Sequence, residues 1–286
     1  MADSPGKARI ALVSPGAMGA AMGARLVDAG HAVLTALADR SEASRARARE
    51  AGMTGADDDA LAACDIILSI MPPANAGAFV ERMLPHIAAR RVKPLFVDAN
   101  ALGPATKKAL AARLASAGCA MVDGAILGPP PRAQGAATTL LLSGDAAAQA
   151  MILATDACPA KCLAGGIGAA AAVKMCFAGI NKGLTGLAAT MLLAAERHGA
   201  GDALRAELRH GLPHLVDRFG RQVPDMIPKA YRWVAEMEEI SAFLAEGDPA
   251  GAEIFRGMAA LYRHIARDLA GDGHDIAALV HAVRPE

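Results

Sequence analysis

The sequence predicts an α/β chain: a doubly wound parallel sheet over residues 1–164, then an all-helical half over 165–286, with one long central helix joining them. Three observations carry that expectation. A short apolar run, a glycine turn and a helix-spaced segment follow one another over residues 8–30. Strand-like and helix-like stretches then alternate as far as residue 164, the pattern of a sheet covered on both faces. From residue 201 the spacing is helical throughout.

The first strand is read at ARIALV, residues 8–13. It stops at Ser14-Pro15-Gly16-Ala17-Met18-Gly19, after which a helix runs to Gly30. Strand, glycine turn and helix are the context in which backbone N–H groups and a helix N-terminus face the pyrophosphate of a dinucleotide, so Ser14, Pro15, Gly16, Ala17, Met18 and Gly19 are candidate cofactor residues of a Rossmann-type domain. The fingerprint is imperfect, because Ser14 stands where its first glycine belongs.

Further strands are expected at 31–37, near Met53, at 65–70, at 95–99 and at 120–124, with helix starts marked by Ser41, Pro73 and Pro104-Ala105-Thr106. Residues 138–144, a short helix over 145–154 and the stretch 158–163 extend the sheet. The C-terminal strand ends are expected to open on one edge, where α/β sheets bind ligands. That edge would carry Ile70, Met71, Pro72 and Asn75, then Asn100, then Gly124, Ile126 and Gly128. The first five join the cofactor set and the last three the substrate set. Each of these stretches also suits a plain turn. At the tip of the second strand come Asp39, Arg40 and Ser41. An acid there favours NAD, whereas Arg40 and Ser41 suit the 2′-phosphate of NADP, toward which the reading leans; Ser41 is equally well placed to be a simple N-cap.

The central stretch GIGAAAAVKMCFAGINKGLTGLAATMLLAAERHG predicts a helix over about 168–199, apolar around most of its circumference and therefore buried on nearly all sides. Lys174 interrupts it. A lone lysine among alanines pairs with an anion, reaches water, or sits in a cleft with lowered proton affinity, and the last makes it a candidate acid/base. Asn181 follows two turns later on nearly the same face and is a candidate substrate contact. Five helices are expected beyond it, at 202–211, 212–220, 229–246, 250–270 and 274–283, with Pro224 and Pro228 among the breaks. The sole tryptophan, Trp233, either lines a substrate pocket or lies on a half-core helix face.

Composition narrows the class. The 286 residues are 53% hydrophobic, and 29 basic residues balance 29 acidic ones, which gives no footing for nucleic acid or an acidic membrane surface. No uninterrupted apolar run reaches spanning length, and no signal-peptide layout is present. Five cysteines read as free buried thiols of a cytoplasmic protein, and Cys158 and Cys162, a CxxxC pair without a second ligand pair, read as structural; no metal is expected. So apolar a connecting helix asks for a second subunit, and a homodimer is expected.

The turn PGAMGAAMGARLVDAGH, the strand ends SIMP, VDANALGPAT and VDGAILGPP, and above all GIGAAAAVKMCFAGINKG resemble the β-hydroxyacid dehydrogenase and 6-phosphogluconate dehydrogenase superfamily, in its bacterial branch with a short helical C-terminal domain. The resemblance runs collinearly over essentially the whole chain. It implies the Rossmann domain, an NAD or NADP cofactor, an intertwined dimer and a general-base role for Lys174 on the substrate hydroxyl while hydride passes to nicotinamide. The chain also departs from the pattern: Phe177 and Ala178 stand where the family keeps a substrate asparagine and its polar neighbour. Leu127-Gly128-Pro129 replaces a serine and two glycines, and Asn181 replaces a second acid of the phosphogluconate enzymes. Phosphogluconate itself is therefore not the expected substrate. The function expected is NAD(P)-dependent hydride transfer at a hydroxyl or carbonyl carbon of a small carboxylated molecule; the alternatives are imine reduction on the same fold and a dinucleotide-binding sensor without turnover.

Overall fold

The computed structural model describes residues 6–38, 40–132 and 137–284. The chain forms two compact units, residues 1–174 and 175–286. The division falls ten residues after the 164/165 boundary read from sequence, because the first turns of the central helix are tied by hydrogen bonds into the sheet unit.

In the first unit the elements run β1 (Arg9–Val13), α1 (Ala17–Asp28), β2 (Ala32–Thr35), α2 (Glu42–Glu50), β3 (Thr54–Gly55), α3 (Asp58–Ala62), β4 (Ile66–Ser69), α4 (Ala76–Ala88), β5 (Leu95–Asp98), α5 (Pro104–Ala115), β6 (Met121–Leu127), β7 (Thr139–Ser143) and β8 (Ala160–Cys162). The sheet order is β3-β2-β1-β4-β5-β6-β7-β8. The chain crosses over between β3 and β4, so β1 and β4 lie side by side at the point where the strand order reverses, the place where such sheets bind ligands.

Alternate strand residues serve opposite faces, and both faces are buried. Ile10, Leu12, Leu68 and Val97 enter one core, while Ala11, Val13, Ile67 and Phe96 enter the other. Local signals set the helix starts. Ser41 Oγ accepts from Ser44 N and caps α2, and Asp57 Oδ1 accepts from Ala60 N and caps α3. The expected uniform parallel run fails at one place: β7 lies antiparallel to β6, because the connection, residues 128–138, is too short for the crossover that a parallel partner needs. The helix expected at 145–154 is a 3₁₀ segment, Ala147–Leu153.

The central helix α6 (Ala169–Arg197) leads into α7 (Gly201–Gly211), α8 (Pro213–Met226), α9 (Ala230–Ala245), α10 (Pro249–Ala270) and α11 (His274–Ala282). Pro224 does not break α8. It sits in the last turn, where a missing N–H costs a single bond, and the helix ends two residues later. The second unit closes over a core that includes Leu192, Leu193, Met226, Met237, Ile240, Tyr262, Ile265 and Leu279.

Burial of α6 on all sides is not what the single chain shows. Val173, Phe177, Ile180, Leu187 and Met191 are exposed along it. Helix α6 is also, by length and composition, the one described helix apolar enough to cross a membrane. The thiols divide as well: Cys64, Cys119 and Cys158 are buried, while Cys162 and Cys176 are exposed.

Candidate active site

The site is built on the C-terminal strand ends of the first unit. Ser14 N donates to Ile70 O (2.9 Å) and Ile70 N donates to Val13 O (2.6 Å), so the β1–α1 turn and the end of β4 are locked together. The serine that interrupts the glycine fingerprint is thereby accommodated: it is buried, and its own carbonyl accepts from Gly16 N (2.9 Å). Gly19 admits nothing larger than hydrogen, since a Cβ there would lie 2.0 Å from Ser14 O. Gly16, the N-cap of α1, makes no side-chain cap bond, and a Cβ on it would meet nothing within 4 Å. An open helix N-terminus with uncapped amides beside a tight turn fits a dinucleotide pyrophosphate, and Ala17 and Met18 supply the first of those amides.

Arg40, Met71 and Asn75, all read from the sequence as cofactor residues, line one cavity together with Ala78, Phe79 and Arg82. Arg82 stacks over Phe79 with its guanidinium 5.3 Å from the ring centre and pairs with Asp58 at 3.2 Å. Ser41 is occupied as the cap of α2, and Arg40 O accepts from Arg45 Nε. Asp39 lies outside the described residues. Arg47, which the sequence reading passed over, donates from Nε to Pro15 O (3.2 Å) and ties α2 to the glycine turn; its place on an otherwise charged helix gave no signal.

Asn100 is spent within the fold. Its Nδ2 donates to Ser69 Oγ (2.8 Å) and Asp98 Oδ2 (2.7 Å), and its Oδ1 accepts from Met71 N (2.6 Å). Its side chain thereby holds the backbone at Met71. Beside it lies a buried charge cluster. Lys107 Nζ donates to Asp98 Oδ1 (2.5 Å), Asp98 O (2.5 Å) and Gly124 O (3.1 Å), and stands 3.3 Å from Asp123 Oδ1. Asp123 Oδ2 in turn accepts from Gly168 N (3.0 Å), Ala171 N (3.0 Å) and Ser143 Oγ (3.1 Å), and Ser143 Oγ accepts from Ala170 N (3.0 Å). The first amides of α6 are thus capped by side chains of β6 and β7, and Gly168 adopts the positive φ of +103° that this approach requires.

Lys174 is one turn into α6, half-buried, near this cluster. Burial drives its pKa down to about 8, and the like charge of Lys107 adds to the fall, while Asp98 and Asp123 pull the other way. An amine of that proton affinity exchanges protons readily near neutral pH. Gly124 presents its carbonyl to Lys107 and Ile126 is buried in β6, so neither projects a polar side chain toward a substrate. Gly128 opens the following turn, whose later residues 133–136 lie outside the description. Lys107 was not singled out from the sequence, though Lys107, Leu110 and Leu114 share one buried helix face.

In the second unit Asn181 Oδ1 accepts from Arg218 Nη2 (2.6 Å) and Gln222 Nε2 (3.1 Å), neither of which was singled out from the sequence. Trp233 packs edge-on against Tyr262 with ring centres 5.2 Å apart, and Lys182 Nζ lies 5.1 Å from its ring centre. Its ring belongs to the edge of the helical core.

Comparison with known proteins agrees with this architecture. Residues 9–165 match the NAD binding domain of 6-phosphogluconate dehydrogenase, and residues 195–265 match a domain family of unknown function, DUF1932. The mitochondrial 3-hydroxyisobutyrate dehydrogenase of Drosophila melanogaster is 24% identical over 216 residues, 74% of this chain and 62% of its own; the chain thus spans about three fifths of that relative's length. Among solved structures, the 3-hydroxyisobutyrate dehydrogenase of Mycobacterium tuberculosis superposes with a TM-score of 0.75 at 22% identity, covering 98% of this chain and 100% of that one. An imine reductase variant from Myxococcus stipitatus, solved in complex with NAD+, superposes with a TM-score of 0.61 at 18% identity, over 98% and 100% of the two chains. With residues 9–165, more than half of its length, matching that model, the chain belongs to the family of the NAD binding domain of 6-phosphogluconate dehydrogenase.

Proposed function

We propose that the protein transfers hydride between a nicotinamide cofactor and a hydroxyl or carbonyl carbon of a small carboxylated substrate, with Lys174 as the acid/base. The observation that carries this reading is the setting of Lys174, half-buried beside the Asp98–Lys107–Asp123 cluster at the strand ends of the dinucleotide domain, with a pKa of about 8. The bound dinucleotide supplies the hydride chemistry. The chain supplies the uncapped start of α1 for the pyrophosphate, the Met71-Pro72 backbone held by Asn100, and an amine that takes the hydroxyl proton in oxidation and returns it in reduction. Arg40 and Arg82 in one cavity favour NADP over NAD, because both offer guanidinium N–H groups to a 2′-phosphate.

Imine reduction is the second reading, favoured by Phe177 and Ala178, which leave no polar side chain one turn after Lys174. The exposed apolar stripe of α6 supports a homodimer: Val173, Phe177, Ile180, Leu187 and Met191 fall on a repeat of three and four residues. Cysteines free of disulfides fit a reducing, cytoplasmic setting. The test is a fluorescence titration with NADPH and NADH, followed by a screen of hydroxyacids, aldehydes and cyclic imines at the nicotinamide absorbance. Turnover of a hydroxyacid that vanishes in Lys174→Ala supports the leading reading. Turnover of imines alone selects the second, and tight cofactor binding without turnover of any substrate class overturns both in favour of a sensor.

A further inference from the structure

Arg218, on α8, is a half-buried guanidinium held by amides alone. Its Nη2 donates to Asn181 Oδ1 (2.6 Å) and its Nε donates to Gln222 Oε1 (3.0 Å). Gln222 Nε2 closes the triangle by donating to Asn181 Oδ1 (3.1 Å), and Thr185 Oγ1 lies 3.1 Å from Gln222 Oε1. Other arginines of the second unit meet carboxylates: Arg197 meets Asp275, Arg205 meets Glu196 and Asp202, Arg256 meets Glu253, and Arg263 meets Glu238. Among the described residues no carboxylate lies within ion-pair distance of Arg218.

The polarity of the triangle follows from Arg218. A guanidinium only donates, so the atoms that Asn181 and Gln222 turn toward it must be their oxygens. Asn181 Oδ1 then accepts two hydrogen bonds, and Gln222 Oε1 accepts from Arg218 and faces the Thr185 hydroxyl. The acceptors are used up. What the cluster still has to offer is three of the five N–H groups of Arg218, the Nδ2 of Asn181 and the second N–H of Gln222 Nε2, every one a donor, around a positive charge with no counter-ion. A half-buried cation with only donors left is chemically complementary to an anion, and the planar fork of arginine to a carboxylate above all.

We infer that Arg218 and Asn181 form a carboxylate-binding subsite in which Arg218 sets the charge of the accepted substrate and Gln222 holds its guanidinium in place. The inference rests on the oxidoreductase reading for its link to turnover, since Asn181 follows Lys174 by seven residues on one face of α6, about 10 Å along its axis. The subsite itself is tested without turnover. Malonate, a dicarboxylate with no hydroxyl to oxidise, is titrated calorimetrically into the full-length protein saturated with NADPH, beside a parallel titration with inorganic phosphate.

The wild-type chain is expected to bind malonate in preference to phosphate. Arg218→Met is expected to weaken malonate binding about tenfold or more, and Arg218→Lys to restore only part of it because the fork is lost. Should Arg218→Met fail to fold, Asn181→Asp decides the matter, because it keeps the arginine but fills the site with a built-in carboxylate and is likewise expected to exclude malonate. Arg218-dependent malonate binding with no turnover of any substrate leaves the subsite standing and removes the oxidoreductase reading. Absence of malonate binding by the wild type, a preference for phosphate, or unchanged affinity in folded Arg218→Met or Asn181→Asp overturns the subsite.

Discussion

Lys107 Nζ lies 2.5 Å from Asp98 Oδ1 with neither side chain exposed to solvent, and the same ammonium stands 3.3 Å from Asp123. One cation therefore bridges two buried carboxylates on neighbouring strands. Removing it as Lys107→Met leaves both without their counter-charge, and a loss of about 3–5 kcal/mol in unfolding free energy is expected from urea denaturation. Loss of less than about 1 kcal/mol would show that the carboxylates reach water or protons by another route.

The depressed proton affinity of Lys174 predicts pH profiles of opposite sign for the two reaction directions. Oxidation needs the neutral amine, so its rate rises with pH and levels off above about 8; reduction needs the ammonium and falls over the same range. Lys174→Ala is expected to lower kcat by about two to four orders of magnitude. The folded pKa near 8 lies below the ordinary 10.5, so wild-type stability climbs with pH between those values. Lys174→Met is thus more stable than the wild type below pH 8, by up to about 3 kcal/mol, with the advantage gone above 10.5. Thermal melts across that range check the sign.

Arg40 shares its cavity with Arg82, and the second guanidinium is already paired with Asp58. Arg40→Ala is expected to weaken NADPH binding by about tenfold while leaving NADH affinity nearly unchanged, as expected for the loss of one charge-assisted contact to a phosphate. Equal losses for the two nucleotides in a fluorescence titration would remove Arg40 from 2′-phosphate recognition.

The stripe along α6 predicts a second subunit. Ile180 is 67% exposed and Phe177 56%, and a helix carrying such residues in series is poorly soluble unless covered. Light scattering is expected to give twice the chain mass for the wild type, and Ile180→Glu to shift that mass toward the monomer. A wild-type monomer at micromolar concentration would remove the dimer.

Short-range rules explain what the sequence made legible. Ser41 announced the start of α2, Gly30 closed the first helical stretch, and the glycines at 16 and 19 marked the β1–α1 turn. What stayed hidden depends on partners distant in the chain. The antiparallel turn of β7 is a matter of connection length rather than strand composition, which is the same for either direction. Lys107 reads as an ordinary surface lysine until Asp98 and Asp123 arrive from two strands. Arg218 and Asn181, 37 residues apart, meet only when α8 packs along α6. Asn100 shows the reverse: its position at the strand edge was legible, but not that its hydrogen bonds all turn inward.

Asp123 belongs to β6, yet it performs for α6 the service that Ser41 and Asp57 perform for their own helices from the adjoining position. The molecule's longest helix therefore has no start signal of its own. A fragment beginning at Gly166 would fray through its opening turn, carrying Lys174 into solvent with it, and during folding that turn becomes stable only after a strand made 45 residues earlier has docked.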